Sequence, residues 1–203
     1  MAEFEVIRPQ PGPQEAFLSC PADICIYGGS AGGGKTYGLL LDPLRYIHVR
    51  GYGAVFLRRT YPDITREGGL WDEAAKIYPA AGGKSTEHPL EYKFPAGTTI
   101  SFHHMQLSRN RFDWKGSQIA TILWDQLEEF EREQFWYLFS RNRSTCGVRP
   151  YQRATVNPPE QENHWLYELL GRWVLPSDPL FPTPPGETCY FVRNEATDTL
   201  DWV

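Results

Sequence analysis

The chain has 203 residues, 41% of them hydrophobic and 22% charged, enough for one sizeable domain or one with a small appendage. Its formal net charge of −5 excludes broad coating of nucleic acid, which needs clustered Lys and Arg, so any contact with DNA or RNA is expected to be local. The cysteines Cys20, Cys25, Cys146 and Cys189 form no C-x-x-C pair. A reducing cytoplasm fits them best, and neither a signal peptide nor a membrane-spanning run is expected.

In chain order, residues 8–15 are Pro-rich and read as an extended arm. Gln14 lies in it, well upstream of Lys35; its amide offers a donor and an acceptor, which matches the N6/N7 edge of adenine. Residues 24–27 read as a buried strand containing Cys25. Then comes G-x-x-x-x-G-K-T, running from Gly29 through Ser30, Ala31, Gly32, Gly33 and Gly34 to Lys35 and Thr36. Glycines let successive amides curl around an anion, and the following helix adds its unpaired amides. Lys35 is expected to reach β- and γ-phosphates and the Thr36 hydroxyl to ligate Mg²⁺. A dinucleotide-binding turn is excluded, because Gly28 to Gly33 does not spell G-x-G-x-x-G and Lys-Thr has no role there.

Residues 36–49 read as a helix with Leu39, Leu40, Leu44 and Ile47 on one side and Pro43 distorting its middle. A strand at 54–57 ends in Arg58-Arg59, site candidates because ligands of open α/β sheets sit beyond the carboxyl ends of strands. A helix over 68–78 and a loop over 79–88 follow. Residues 92–102 read as two strands joined at Pro95-Ala96-Gly97, then comes a basic loop with Arg109, Arg111 and Lys115. A buried strand at 119–124 delivers Asp125, placed to hold Mg²⁺ opposite Thr36. Residues 131–143 read as a helix with Phe135, Leu138 and Phe139 inward. The strand 153–156 is tipped by Asn157-Pro158-Pro159, the tail is Pro-rich to Gly186, and 189–192 reads as an edge strand. These pieces predict a three-layer α/β domain with a mostly parallel sheet. Strands 24–27, 54–57, 119–124 and 153–156 form its centre, with the 91–103 hairpin and the tail added as edges.

Several ordered stretches resemble the ATPase domain of large terminase subunits, the DNA-packaging motors of tailed phages. They are Pro11-Gly-Pro-Gln-Glu-Ala-Phe-Leu18, Gly28 to Thr36, Val55-Phe-Leu-Arg-Arg-Thr-Tyr-Pro-Asp63, Trp114-Lys-Gly-Ser-Gln118, Leu123-Trp-Asp-Gln-Leu-Glu-Glu-Phe130, Leu138-Phe-Ser-Arg-Asn-Arg-Ser144 and Ala154-Thr-Val-Asn-Pro-Pro159. The resemblance implies an ASCE-type P-loop NTPase that uses ATP and Mg²⁺. It implies that Gln14 recognises adenine, Asp125 binds metal, and Thr155 and Asn157 couple loss of γ-phosphate to movement. It further implies a homo-oligomeric ring at the procapsid portal, double-stranded DNA and the small terminase subunit as partners, and the host cytoplasm as location. By the same resemblance residues 1–22 are an arm, 23–175 the ATPase core and 176–203 a linker toward a nuclease domain.

Two departures stand out. Lys115 falls where the family places a basic residue acting in a neighbour's site; a point charge replaces a planar fork there, so Arg109 and Arg111 are alternatives. Gln126 stands where the family has Glu as general base, and an amide cannot accept a proton. Three explanations are open: a Glu-to-Gln change engineered to trap bound nucleotide, giving a hydrolysis-deficient form, which is slightly favoured; Glu128 or Glu129 acting instead; or water positioning by Gln alone, as in small GTPases. Two other functions are weighed: a helicase-type ATPase, and a nucleotide-gated binding module with little turnover.

Overall fold

The computed structural model describes residues 7–30, 32–161, 163–194 and 196–203. Ala31 of the Gly-rich loop and residues 1–6 of the arm lie outside the described residues. The chain divides into two compact units, Met1–Pro158 and Pro159–Val203.

In the first unit, α1 (Pro13–Ser19) leads into β1 (Ile24–Gly28), α2 (Lys35–Leu41), a 3-10 helix Asp42–Tyr46 and β2 (Gly53–Arg58). Next come α3 (Tyr61–Thr65), α4 (Leu70–Ile77), β3 (Lys84–Glu87), β4 (Leu90–Lys93), β5 (Thr99–His104) and a 3-10 helix Ser108–Trp114. The unit ends with β6 (Thr121–Trp124), a 3-10 turn Leu127–Glu129, α5 (Arg132–Phe139) and β7 (Tyr151–Val156). One seven-stranded sheet runs β1-β7-β6-β2-β5-β4-β3. The pairings from β1 to β5 are all parallel, and β4 and β3 add antiparallel edges. This is the expected α/β architecture of a mostly parallel sheet with antiparallel edge strands.

Burial follows that order. β6 is an interior strand, between β7 and β2, and all four of its residues are buried. Phe56 of β2 stacks on Phe102 of β5, ring centroids 4.9 Å apart, and burying each such ring stabilises the fold by about 1.5–3 kcal/mol. In α4, Leu70, Ala74 and Ile77 recur at i, i+4 and i+7 and are all buried, the stripe a core-facing helix requires. The turn at Pro95-Ala96-Gly97 joins β4 to β5 as expected, with Gly97 at φ 84.

Several expectations are corrected. The arm is not extended throughout: α1 begins at Pro13, since a proline in the first helical turn loses no hydrogen bond. The helix expected over 36–49 is α only to Leu41; Pro43, lacking an N–H, sits in the first turn of the 3-10 helix that follows. Cys25 is half-buried, because β1 is an edge strand paired only with β7. The loop expected over 79–88 contains β3. Residues 131–143 are helical only to Phe139, which is 38% exposed; the buried stripe is Gln134, Phe135 and Leu138. β7 begins at Tyr151 and all six of its residues are buried. Two of its polar members are engaged in part: Gln152 Oε1 accepts the Trp124 indole N–H at 2.7 Å, and Arg153 donates to Ala22 O and Cys20 O, while Gln152 Nε2 and Arg153 Nε find no hydrogen-bond partner among the described residues.

The second unit holds α6 (Tyr167–Val174), β8 (Phe191–Asn194) and β9 (Thr199–Trp202). The strand expected at 189–192 is not an edge of the large sheet: β8 pairs with β9 in a sheet of their own. Arg172 of α6 lies over the Trp202 ring, 3.9 Å from its centroid, a cation–π contact that ties helix to hairpin.

Candidate active site

The strand order brings the site together. β7 lies between β1 and β6, and the parallel register sets Gly28 opposite Val156 and Trp124 opposite Ala154. The residues just past these three strand ends therefore converge on one edge of the sheet, where open α/β sheets hold ligands. β2 lies on the other side of β6, with Leu57 opposite Trp124, so Arg58 comes level with Asp125.

Lys35 opens α2 and turns back into the Gly-rich loop. Its Nζ donates to Gly29 O at 2.6 Å, Ser30 O at 2.7 Å and Asn157 Oδ1 at 3.0 Å. The residue is 9% exposed, and its three acceptors are all neutral. Buried ammonium groups are normally paired with an acid; this one has no ion-pair partner among the described residues. Gly32 at φ 81 and Gly34 at φ 69 give the loop its curl.

Thr36 Oγ1 donates to Asp125 Oδ1 at 3.1 Å, and Thr155 Oγ1 donates to the same oxygen at 2.8 Å. Thr155 Oγ1 also accepts the Gln126 backbone N–H at 2.9 Å. Thr36, Asp125 and Thr155 are thus one hydrogen-bonded cluster, joined through Asn157 to Lys35 by the short tip of β7.

Arg58 closes the other side. Its side chain is 5% exposed, with Nε 3.4 Å from Asp125 Oδ2 and Nη1 3.4 Å from Glu129 Oε2. Nη1 also donates to Gln126 Oε1. Burial pushes the Glu129 carboxyl up, partly offset by the Arg58 guanidinium. Arg59 points elsewhere, donating to Gln134 and Glu131 at the start of α5, so only the first of the two arginines joins the site. The visible signal is its place: it ends an apolar strand level with the strand that delivers Asp125.

Gln126 has φ 59 and ψ 66, a left-handed conformation uncommon for a non-glycine residue. It turns the chain so that Glu128 comes back over the site. Asn157 Nδ2 donates to Glu128 Oε1 at 2.8 Å. Sequence reading leaves this contact open, because a turn of this hand is not encoded by a glycine.

Gln14 is 1% exposed. Its Nε2 donates to Gly34 O at 3.0 Å and its Oε1 accepts from Gln10 N at 2.8 Å, so the amide braces the loop. A Cβ on Gly34 would lie 2.5 Å from Gln14 Nε2. Gly34→Ala should therefore displace Gln14 and cost about 1–2 kcal/mol for the left-handed backbone alone, read as a lower urea midpoint.

The basic loop stands apart. Arg109 and Lys115 are exposed, with side chains that make no hydrogen bond or ion pair among the described residues. Arg111 Nη1 donates to Ser108 O at 2.6 Å, and its guanidinium lies over Phe112.

The family model for terminase large subunits of T4likevirus type, N-terminal part, matches residues 26–188. Among solved structures, the chain is similar to the HK97 bacteriophage large terminase, with TM-score 0.63 at 12% identity over 85% of this chain and 38% of that one. The large terminase of a thermophilic bacteriophage gives 0.61 at 15% identity over 82% and 43%. The large terminase ATPase domain of Thermus phage P74-26 gives 0.57 at 12% identity over 80% and 69%. At these identities the likeness is one of fold, and the chain spans about two-fifths of the first two of these proteins. A comparison with curated proteins gives no match. The family match covers most of the chain and takes in the loop, Asp125 and the β7 tip: this chain belongs to the terminase large subunits of T4likevirus type, as their N-terminal part.

Proposed function

We propose that the chain is the ATP-hydrolysing motor domain of a phage terminase large subunit, driving double-stranded DNA into a procapsid. The observation that carries this reading is the Lys35 ammonium, buried in a Gly-rich loop with three neutral acceptors and no ion-pair partner among the described residues. Such a group is a standing site for an anion, and in this loop the anion is the β,γ-phosphate of ATP. A crystal form of the thermophilic bacteriophage's large terminase, which shares the fold, holds ADP, and a chain of the same fold occurs in the phi29 genome packaging motor assembly.

One hydroxyl and one carboxylate meet at Thr36 and Asp125, a donor set that fits Mg²⁺, which keeps several waters and takes few protein ligands. When bound, that ion neutralises charge on the β- and γ-phosphate oxygens. The chain's own residues do the rest. Lys35 exchanges the loop carbonyls and Asn157 Oδ1 for phosphate oxygens. That exchange frees Asn157, and Thr155 links Asp125 to the Gln126 backbone, so the tip of β7 can register the presence of γ-phosphate. Gln14, once shifted from Gly34, has an amide edge for adenine.

Arg109 and Lys115, exposed and with no side-chain partner among the described residues, are the basic groups suited to reach a neighbouring subunit in a homo-oligomeric ring at the portal; Arg111 is held by its own loop. By the same reading residues 1–22 serve as the adenine-recognition arm, 23–175 as the core and 176–203 as a linker toward a nuclease domain. The small terminase subunit is a partner and the host cytoplasm the location. No helix among the described residues is long and apolar enough to cross a membrane.

Phosphate release by the full-length large subunit, with and without DNA and procapsid, tests the motor. Stimulation by both is expected, and a rate indifferent to both would sink it. A second reading, a hydrolysis-deficient domain, draws on Gln126, whose side-chain oxygen is held by Arg58. Under that reading Gln126→Glu raises turnover by about 10²-fold or more, and equal turnover in both forms removes it.

A further inference from the structure

Three residues past Asp125 sits a carboxylate that the site geometry singles out. Glu128 Oε1 accepts from Asn157 Nδ2 at 2.8 Å, while Asn157 Oδ1 accepts from Lys35 Nζ at 3.0 Å. Two hydrogen bonds through one amide thus join this carboxylate to the ammonium that meets the γ-phosphate. Its other oxygen, Oε2, is buried and finds no hydrogen-bond partner among the described residues. A buried carboxylate oxygen without a donor is costly, and this one belongs to a carboxylate linked through Asn157 to Lys35 Nζ.

The neighbouring candidates are engaged. Gln126 cannot take a proton, and its side-chain oxygen is held by Arg58. Glu129 is paired with the same guanidinium and its side chain is 38% exposed. The turn that presents Glu128 is bought with left-handed backbone at Gln126, and local strain at a strand end is characteristic of functional sites.

Resting on the ATPase reading above, we propose that Glu128 is the general base of this domain. Water, held by Glu128 Oε2, forms a bond from its oxygen to the γ-phosphorus of ATP. The bond from γ-phosphorus to the bridging oxygen breaks, and its electron pair leaves with ADP. Glu128 accepts one water proton and returns it to the inorganic phosphate or to solvent, so the carboxylate is regenerated. Asn157 fixes the carboxylate through one oxygen and leaves the other for water. Because Asn157 also contacts Lys35, the base is held in place by the residue that senses occupancy of the phosphate site.

The test uses the full-length subunit with Mg·ATP, measuring phosphate release alongside affinity for a fluorescent non-hydrolysable ATP analogue. Glu128→Gln should lower turnover by about 10²-fold or more while affinity stays within about threefold. Glu129→Gln should keep turnover within about tenfold. Gln126→Glu should add less than about tenfold, since its carboxylate would pair with Arg58. Added formate should restore part of the activity of Glu128→Ala, a rescue that a merely structural carboxylate does not allow. Glu128→Gln hydrolysing like the parent, or absence of formate rescue, overturns the assignment. A parent that binds the analogue yet releases no phosphate overturns it in favour of the hydrolysis-deficient reading, and a parent that binds no nucleotide overturns the ATPase reading itself.

Discussion

Lys35→Met should lower ATP turnover by about 10³-fold, the scale of losing one preorganised charged donor to a transferring phosphoryl group, and leave the ligand-free chain as stable as before or more so. The two halves of this outcome come from one geometry. The ammonium is buried, and its three hydrogen bonds go to Gly29 O, Ser30 O and Asn157 Oδ1, none of which carries charge. Without an anion the lysine is a buried cation with no counter-ion among the described residues, which costs free energy. Gly29 and Ser30 are exposed, so water takes over their carbonyls when the ammonium is gone. Methionine fills the space of the stem without the charge. Urea unfolding of the ligand-free protein and phosphate release by the full-length subunit check the two halves together. A large loss of stability with unchanged nucleotide affinity would make Lys35 a structural loop staple and remove the phosphate site.

Much of this site is legible along the chain because strand ends are legible. An apolar run closed by Asp125, another closed by Arg58, and Gly-Lys-Thr after a third mark three corners without any structure. Their convergence is a property of strand order, which no local pattern encodes: β7 inserts between β1 and β6, and that brings Asn157 to Lys35 across 122 residues. The errors also have physical causes. The prolines of the arm read as breakers, yet Pro13 starts α1 because its missing N–H is not needed there. β3, Lys-Ser-Thr-Glu, is polar throughout and carries no alternation to detect. α6 is hidden between Pro-rich segments, and β8 cannot be placed without its partner β9. Glu128 reads along the chain only as one of two acids, since its direction depends on a left-handed turn at Gln126 that a glutamine does not announce.

Arg58→Ala should destabilise the domain by about 3–5 kcal/mol, the cost of removing one member of a buried ion pair. The Arg58 and Asp125 side chains are 5% and 6% exposed and 3.4 Å apart. Asp125 would keep only the Thr36 and Thr155 hydroxyls as donors to one oxygen, and its other oxygen would face the gap left by the guanidinium. Gln126 Oε1 would lose its donor as well. Glu129, already partly solvated, should contribute little to the loss. If the penalty is the uncompensated charge, neutralising it should return stability: Arg58→Ala with Asp125→Asn should recover at least half of the loss, with a coupling of about 1–3 kcal/mol in a double-mutant cycle. Urea midpoints at neutral pH supply all four corners of the cycle. An Arg58→Ala penalty below about 1 kcal/mol, the level of a surface pair, would show that Asp125 is reached by water without the arginine. In that case Arg58 is no clamp on Asp125, and the hold it exerts on Gln126 has no structural consequence either.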